Sequence, residues 1–98
     1  MQRVTFDAYV IDVLLPDLVG HDHRPAAFLV YMFLLRHSPQ DARATVGASL
    51  QTIATRTGLS KSAVQSAIRH LKRRGLLDAQ LTASVTAPLR RVVRPWLR

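Results

Sequence analysis

Apolar residues recur near the start of the chain at Phe6, Val10, Val13 and Leu14, the spacing of one face of an amphipathic helix over residues 6–15. Pro16 is expected to kink or end that helix and Gly20 to stop it. The polar run His21, Asp22, His23 and Arg24 then reads as a loop. Pro25 suits the first turn of a second helix, because its fixed φ matches and its missing N–H is not needed there. That helix should run to His37, before Ser38 and Pro39. From Phe28 to Leu35 it is apolar on every side, and a helix of that kind must be covered all round. One side can pack on the second half of the chain. The other needs the N-terminal helix, a second subunit, or both, which is the sequence argument for a homodimer formed through the N-terminal segment, residues 1–20.

Residues 38–43 read as a polar loop and Thr45-Val46 as one short strand. Ser49 is placed to cap a helix, its hydroxyl taking an unpaired N–H of the first turn. Leu50, Ile53, Ala54 and Thr57 follow at helical spacing, and Gly58 supplies the left-handed residue that ends the helix. After Leu59, Ser60 is a second N-cap, and a third helix should run to about Arg74 before Gly75. Beyond it Leu77, Ala79 and Leu81 alternate with Asp78, Gln80 and Thr82. Residues 89–94 form a second extended candidate, bracketed by Pro88 and Pro95. The two predict a β-hairpin with a loop over residues 82–87.

Residues 50–71 act as one unit. Small or apolar side chains at Leu50, Ile53, Ala54, Leu59, Val64, Ala67, Ile68 and Leu71, with Gly58 between, are what two short helices crossing steeply require. Ala54 lets the second helix pass close, Gly58 permits the tight turn, and Val64 and Ile68 plug one helix into the other. This is the helix-turn-helix pattern. On a helical wheel Val64, Ala67, Ile68 and Leu71 share one face, while Ser62, Ser66, Arg69 and Arg73 oppose it with Gln65 at the edge.

Charge sharpens that picture. The net +8 over 98 residues is confined to the second half. Up to residue 48 four arginines (Arg3, Arg24, Arg36, Arg43) meet five aspartates (Asp7, Asp12, Asp17, Asp22, Asp41). Beyond it Arg56, Lys61, Arg69, Lys72, Arg73, Arg74, Arg90, Arg91, Arg94 and Arg98 face Asp78 alone. A neutral half joined to a basic half implies a polyanionic partner for the second. On the polar face of the third helix, Ser62, Gln65, Ser66 and Arg69 are the candidates for reading base edges, since Gln pairs with adenine and Arg with guanine. Ser60, Lys61, Lys72, Arg73 and Arg74, with Arg90, Arg91 and Arg94 on the return strand, are the candidates for phosphate contacts.

The stretch TIATRTGLSKSAVQSAIRHLKRRGLL, residues 52–77, resembles the winged helix-turn-helix regulators of the MarR and GntR type. Those families share the order helix, Gly, apolar, Ser, recognition helix, and a Leu-x-x-x-Gly-Leu-Leu join into a β-wing, here Leu71 to Leu77. The resemblance covers residues 44–94. It implies a mainly α fold with a small β-hairpin, in which the hairpin is the wing. The wing tip carries no charge, so contact with phosphates from its flank is expected in place of insertion into the minor groove.

Catalysis finds little support in the chain. His21-Asp22-His23 is the one candidate metal cluster, but a stable site needs three or four placed ligands, and a polar loop is the preferred reading. Ser60, Ser62 and Ser66 lack a base and an acid at a meaningful spacing. Glutamate and cysteine are both absent, which excludes thiolate metal sites and disulfides and fits a reducing cytoplasm. The longest apolar run, ten residues, is too short to span a bilayer, and the N-terminus lacks the pattern of a signal peptide. Trp96 is expected to plug the C-terminus onto the core. The sum is a single winged-helix domain over residues 1–98, without cofactor, that binds duplex DNA as a homodimer and regulates transcription. A replication or segregation protein, or a winged helix that docks a protein, remain the alternatives.

Overall fold

The computed structural model describes residues 1–39, 45–81 and 89–97. The first helical segment opens where the Asp7 carboxylate accepts the Tyr9 N–H at 2.9 Å. It winds with the wide π geometry, in two stretches, Val10–Leu14 and Pro16–His21. Pro16 has no N–H and its ring crowds the preceding turn of an α-helix, and a π turn is a local way to pass such a residue. The helical path therefore changes winding at Pro16, where the sequence reads a kink or an end, and stops at His21, one residue beyond the expected Gly20. Val10, Leu14 and Leu18 line its buried side, while Val13, expected with them, remains 41% exposed. The wider winding keeps positions four apart in line and turns the third outward.

Helix α1 spans Pro25–His37 as expected. Ala27, Phe28, Val30, Tyr31, Leu34 and Leu35 are buried, so the chain itself covers most of its circumference, although Leu29 stays 47% exposed. The Tyr31 hydroxyl, wholly enclosed, donates to the Val93 carbonyl at 2.8 Å. Burial holds its pKa above the usual phenol range.

Helices α2 (Leu50–Thr57) and α3 (Lys61–Arg73) are capped as their sequences dictate. Ser49 Oγ accepts the Thr52 N–H and Ser60 Oγ the Ala63 N–H, each at 3.1 Å. Between them Gly58 takes φ 81°, and its N–H closes on the Ala54 carbonyl at 2.9 Å. Ile53, Ala54, Val64, Ala67, Ile68 and Leu71 are buried in one core with Val30, Tyr31 and Leu34 of α1.

Strand β1 (Val46–Gly47) pairs antiparallel with β2 (Leu89–Arg90), Val46 opposite Arg90 and Gly47 opposite Leu89. The sequence places β1 one residue earlier. After α3 the chain meets the returning segment at an antiparallel bridge, Leu77 with Val92. Asp78 N–H to Arg91 O (2.9 Å) and Val93 N–H to Leu76 O (3.0 Å) flank it. The alternation over 77–81 does not extend this into a strand, because the Asp78 carboxylate accepts the Gln80 N–H at 2.9 Å and bends the chain into a turn. The expected hairpin loop, 82–87, and most of the expected polar loop, 38–43, lie outside the described residues. Trp96 is partly buried against the core, its ring 5.6 Å from that of Tyr9. The architecture is a winged helix-turn-helix, mainly helical with a small antiparallel sheet.

Ile68 sits where α3 enters the core, 5% exposed, beside the exposed Arg69. Ile68→Ala is expected to lower unfolding stability by ~2–5 kcal/mol, measured as a shifted midpoint in urea denaturation followed by circular dichroism.

Candidate nucleic-acid interface

The apolar stripe of α3 is consumed by the core, which leaves the opposite face outward. Lys61, Ser62, Gln65, Arg69 and Arg73 are exposed on it, and Ser66 and Lys72 are half-buried at its edges. All four expected base-reading residues therefore share one open face with Lys61 and Arg73. Among the described residues no ion pair takes Lys61, Arg69, Lys72 or Arg73. Ser60 is spent differently, its hydroxyl capping the helix and lying 3.3 Å from Ser62 Oγ. Such a face offers donors for base edges in its middle and cations for phosphates around them.

The remaining expected phosphate contacts are used inside the molecule. Arg90 is 8% exposed and donates through Nε to the Ala48 carbonyl at 3.2 Å; burial pulls its pKa down. Arg94 is equally buried and donates to the carbonyls of Ser38 (3.4 Å) and Pro39 (2.8 Å). Arg91 pairs with Asp78 at 2.8 Å. Buried guanidinium groups require acceptors, and the loop carbonyls ahead of α2 supply them. These three arginines fasten the return segment to its neighbours.

Arg74 is likewise held. Its guanidinium pairs with Asp17 and, through Nε at 2.9 Å, with Asp22. Asp22 is the centre of a cluster: its carboxylate also meets His70 Nε2 at 2.7 Å and His21 Nδ1 at 2.8 Å. The hydrogen bonds from His21 and His70, with the charge of Arg74, hold the Asp22 pKa at about 2, against the opposing effect of burial. This contact ties the end of the N-terminal segment to the last turn of α3. Asp17, His21 and Asp22 offer ligand atoms within 4.8 Å of one another, but Arg74 and His70 already occupy the two carboxylates. The cluster is an ion-pair node in place of the His21-Asp22-His23 metal loop weighed from the sequence.

The sequence reading missed this node and also Arg24, whose guanidinium lies 3.5 Å from Ser66 Oγ on the edge of the outward face.

Residues 24–77 match the family model described as Helix-turn-helix domain, more than half of the chain, and the chain belongs to that family. No curated protein and no solved structure shows significant similarity to it. The family assignment is to the helix-turn-helix domain and carries no MarR or GntR detail. It suggests DNA as a partner of the domain. Among the described residues no helix is long and apolar enough to cross a membrane.

Because Asp22 is more acidic folded than free, the stability it contributes is complete above its ordinary pKa of 3.8 and is lost as pH falls through about 2. Asp22→Asn is expected to cost about 1–3 kcal/mol at neutral pH. In urea titrations at a series of pH values, the gap between wild type and variant should stay constant down to about pH 4 and close between there and about pH 2. A gap that persists at the acid end would remove the carboxylate as its cause.

Proposed function

We propose that this protein binds duplex DNA sequence-specifically through α3 and regulates transcription as a cytoplasmic homodimer, without cofactor or chemistry of its own. The observation that carries the reading is the outward face of α3: Ser62, Gln65, Ser66 and Arg69 ringed by Lys61, Lys72 and Arg73, with no acidic residue among them, on a helix-turn-helix. Ser62 and Ser66 are small enough for close approach to a groove. Gln65 and Arg69 have the donor geometry for adenine and guanine. The lysines and Arg73 set register on the phosphates. The domain is read as one unit, residues 1–98, with residues 44–94 carrying DNA contact and 1–20 carrying association. Exposed Ile11, Val13 and Leu29, on the N-terminal segment and on α1, support pairing through that end. Two copies would then present recognition helices to half-sites roughly 34 Å apart.

Fluorescence anisotropy with the gene's own upstream duplex and a scrambled control tests the DNA reading. Wild type is expected to prefer the upstream duplex, and Arg69→Ala to lose about 1–3 kcal/mol, mainly on that duplex. Equal losses on both would make Arg69 a phosphate contact and remove it from base reading. The association reading is checked by sedimentation velocity: Leu29→Asp is expected to convert a dimer into a monomer of unchanged helicity, whereas a wild type that sediments as a monomer at all concentrations would exclude the dimer.

A further inference from the structure

The cations of α3 are distributed unevenly about its axis. At ~100° per residue, its exposed face runs from Lys61, Lys72 and Gln65 on one edge, through Arg69, Ser62 and Arg73, to Ser66 and His70 on the other. The first edge carries two lysines that enter no ion pair among the described residues. On the second edge His70 is held by Asp22, and Arg74, just past the helix, is held by Asp17 and Asp22. A helix in a major groove ~12 Å wide lies between two sugar-phosphate strands. Arg73 leans toward the second edge from the last turn of α3, 3.5 Å from His70 Nδ1, but two turns earlier, at Ser66, the edge has no cation of α3 to grip the second strand.

Arg24 stands at that second edge. It is exposed, forms no ion pair among the described residues, and reaches Ser66 Oγ at 3.5 Å, the outer limit of a hydrogen bond. Its backbone, by contrast, is fixed. Its N–H donates to the Leu18 carbonyl at 2.8 Å, and its own carbonyl accepts the first free N–H groups of α1, from Ala27 at 3.0 Å and Phe28 at 3.4 Å. Two residues before it, Asp22 anchors the same loop to His70 and Arg74. The result is a cation on a rigid base with a weakly held head, beside a hydroxyl on the outward face. His23, exposed with φ 53°, flanks it.

We infer that Arg24 contacts a backbone phosphate on the side of α3 opposite Lys61 and Lys72, so that the loop before α1 forms a second flank of the DNA interface. The inference rests on the DNA-binding reading above and extends it beyond the α2–α3 pair and the wing, to the first residue of the matched domain. On binding, the weak Arg24–Ser66 contact is exchanged for a charge-assisted one to phosphate. Such a contact is blind to sequence and sensitive to salt.

The test is anisotropy of a labelled mixed-sequence duplex titrated across a salt series with wild type, Arg24→Ala, Arg24→Gln, Arg24→Lys and Ser66→Ala, each checked by thermal melting. Arg24→Ala and Arg24→Gln are expected to weaken binding about 3- to 10-fold at low salt and to reduce the slope of log K against log salt by about 0.9, one phosphate contact. Arg24→Lys should keep the slope, and Ser66→Ala, which removes a neutral group of the proposed binding face and so lowers affinity, should leave the slope unchanged. Gln retains a donor for Ser66 without the charge, which separates a phosphate contact from a merely structural tie. Arg24→Ala with the affinity and slope of wild type would overturn the inference and leave DNA binding standing, as would a slope loss reproduced by Ser66→Ala. Failure of wild type to bind any duplex at low salt would overturn the DNA reading itself, and this inference with it.

Discussion

An apolar helix with hydrophobic side chains around most of its circumference has to be enclosed, and α1 is the element around which the rest of this fold is arranged. The N-terminal π turns cover one side of it, α3 lies along another, and α2 packs against both α1 and α3. The C-terminal segment returns over it, pinned where the buried Tyr31 hydroxyl meets the Val93 carbonyl. Each covering element has one apolar stripe, and α1 uses it. For α3 this has a functional consequence. With Val64, Ala67, Ile68 and Leu71 committed inward, the rotation of the helix about its axis is fixed, and Ser62, Gln65, Arg69 and Arg73 must point to solvent. The outward chemistry follows from an inward constraint.

The features that local physics decides were readable from the residues. A serine before each short helix and Gly58 between them need only neighbours three or four positions away, and their hydrogen bonds form as the spacing dictates. The bounds of α1 follow in the same way from Pro25 and from the Ser38-Pro39 pair. What could not be read depends on partners far along the chain. Arg90 and Arg94 sit in a run of basic residues that looks like surface, and nothing in the run says that carbonyls of residues 38, 39 and 48 will receive them. Asp17 and Asp22 meet His70 and Arg74 across a separation of about half the chain. The π winding, which carries those aspartates to one side, is missed because an α-helical period is the default against which apolar spacing is judged.

The arginines show why net charge overstates an interface. A guanidinium has five donors in a planar fork, which serves a carbonyl-rich loop or a carboxylate as well as a phosphate. In this protein Arg90 and Arg94 hold loops, and Arg74 and Arg91 are paired with aspartates. The cations of α3 left on its outward face are Lys61, Arg69, Lys72 and Arg73. Of the cations behind the formal charge of +8, these four form a compact group on one helix. It is the position of that group, more than the total, that creates a directed field toward a polyanion.

The aspartates of the N-terminal half take part in that shaping. A carboxylate close to the C-terminal end of a helix opposes the helix dipole and is unfavourable there unless a cation lies between. Asp17 and Asp22 sit near the last turn of α3, with His70 and Arg74 interposed as that electrostatics requires. The cluster offsets positive charge at the C-terminal end of α3 while leaving its exposed face from Lys61 to Arg73 positive. It also fixes the loop that ends in Arg24, so the same contact that pairs one arginine with aspartates holds another beside Ser66. The neutral first half of the chain therefore determines where the charge of the basic half is available, and the two cannot be understood as a binding domain with an inert extension.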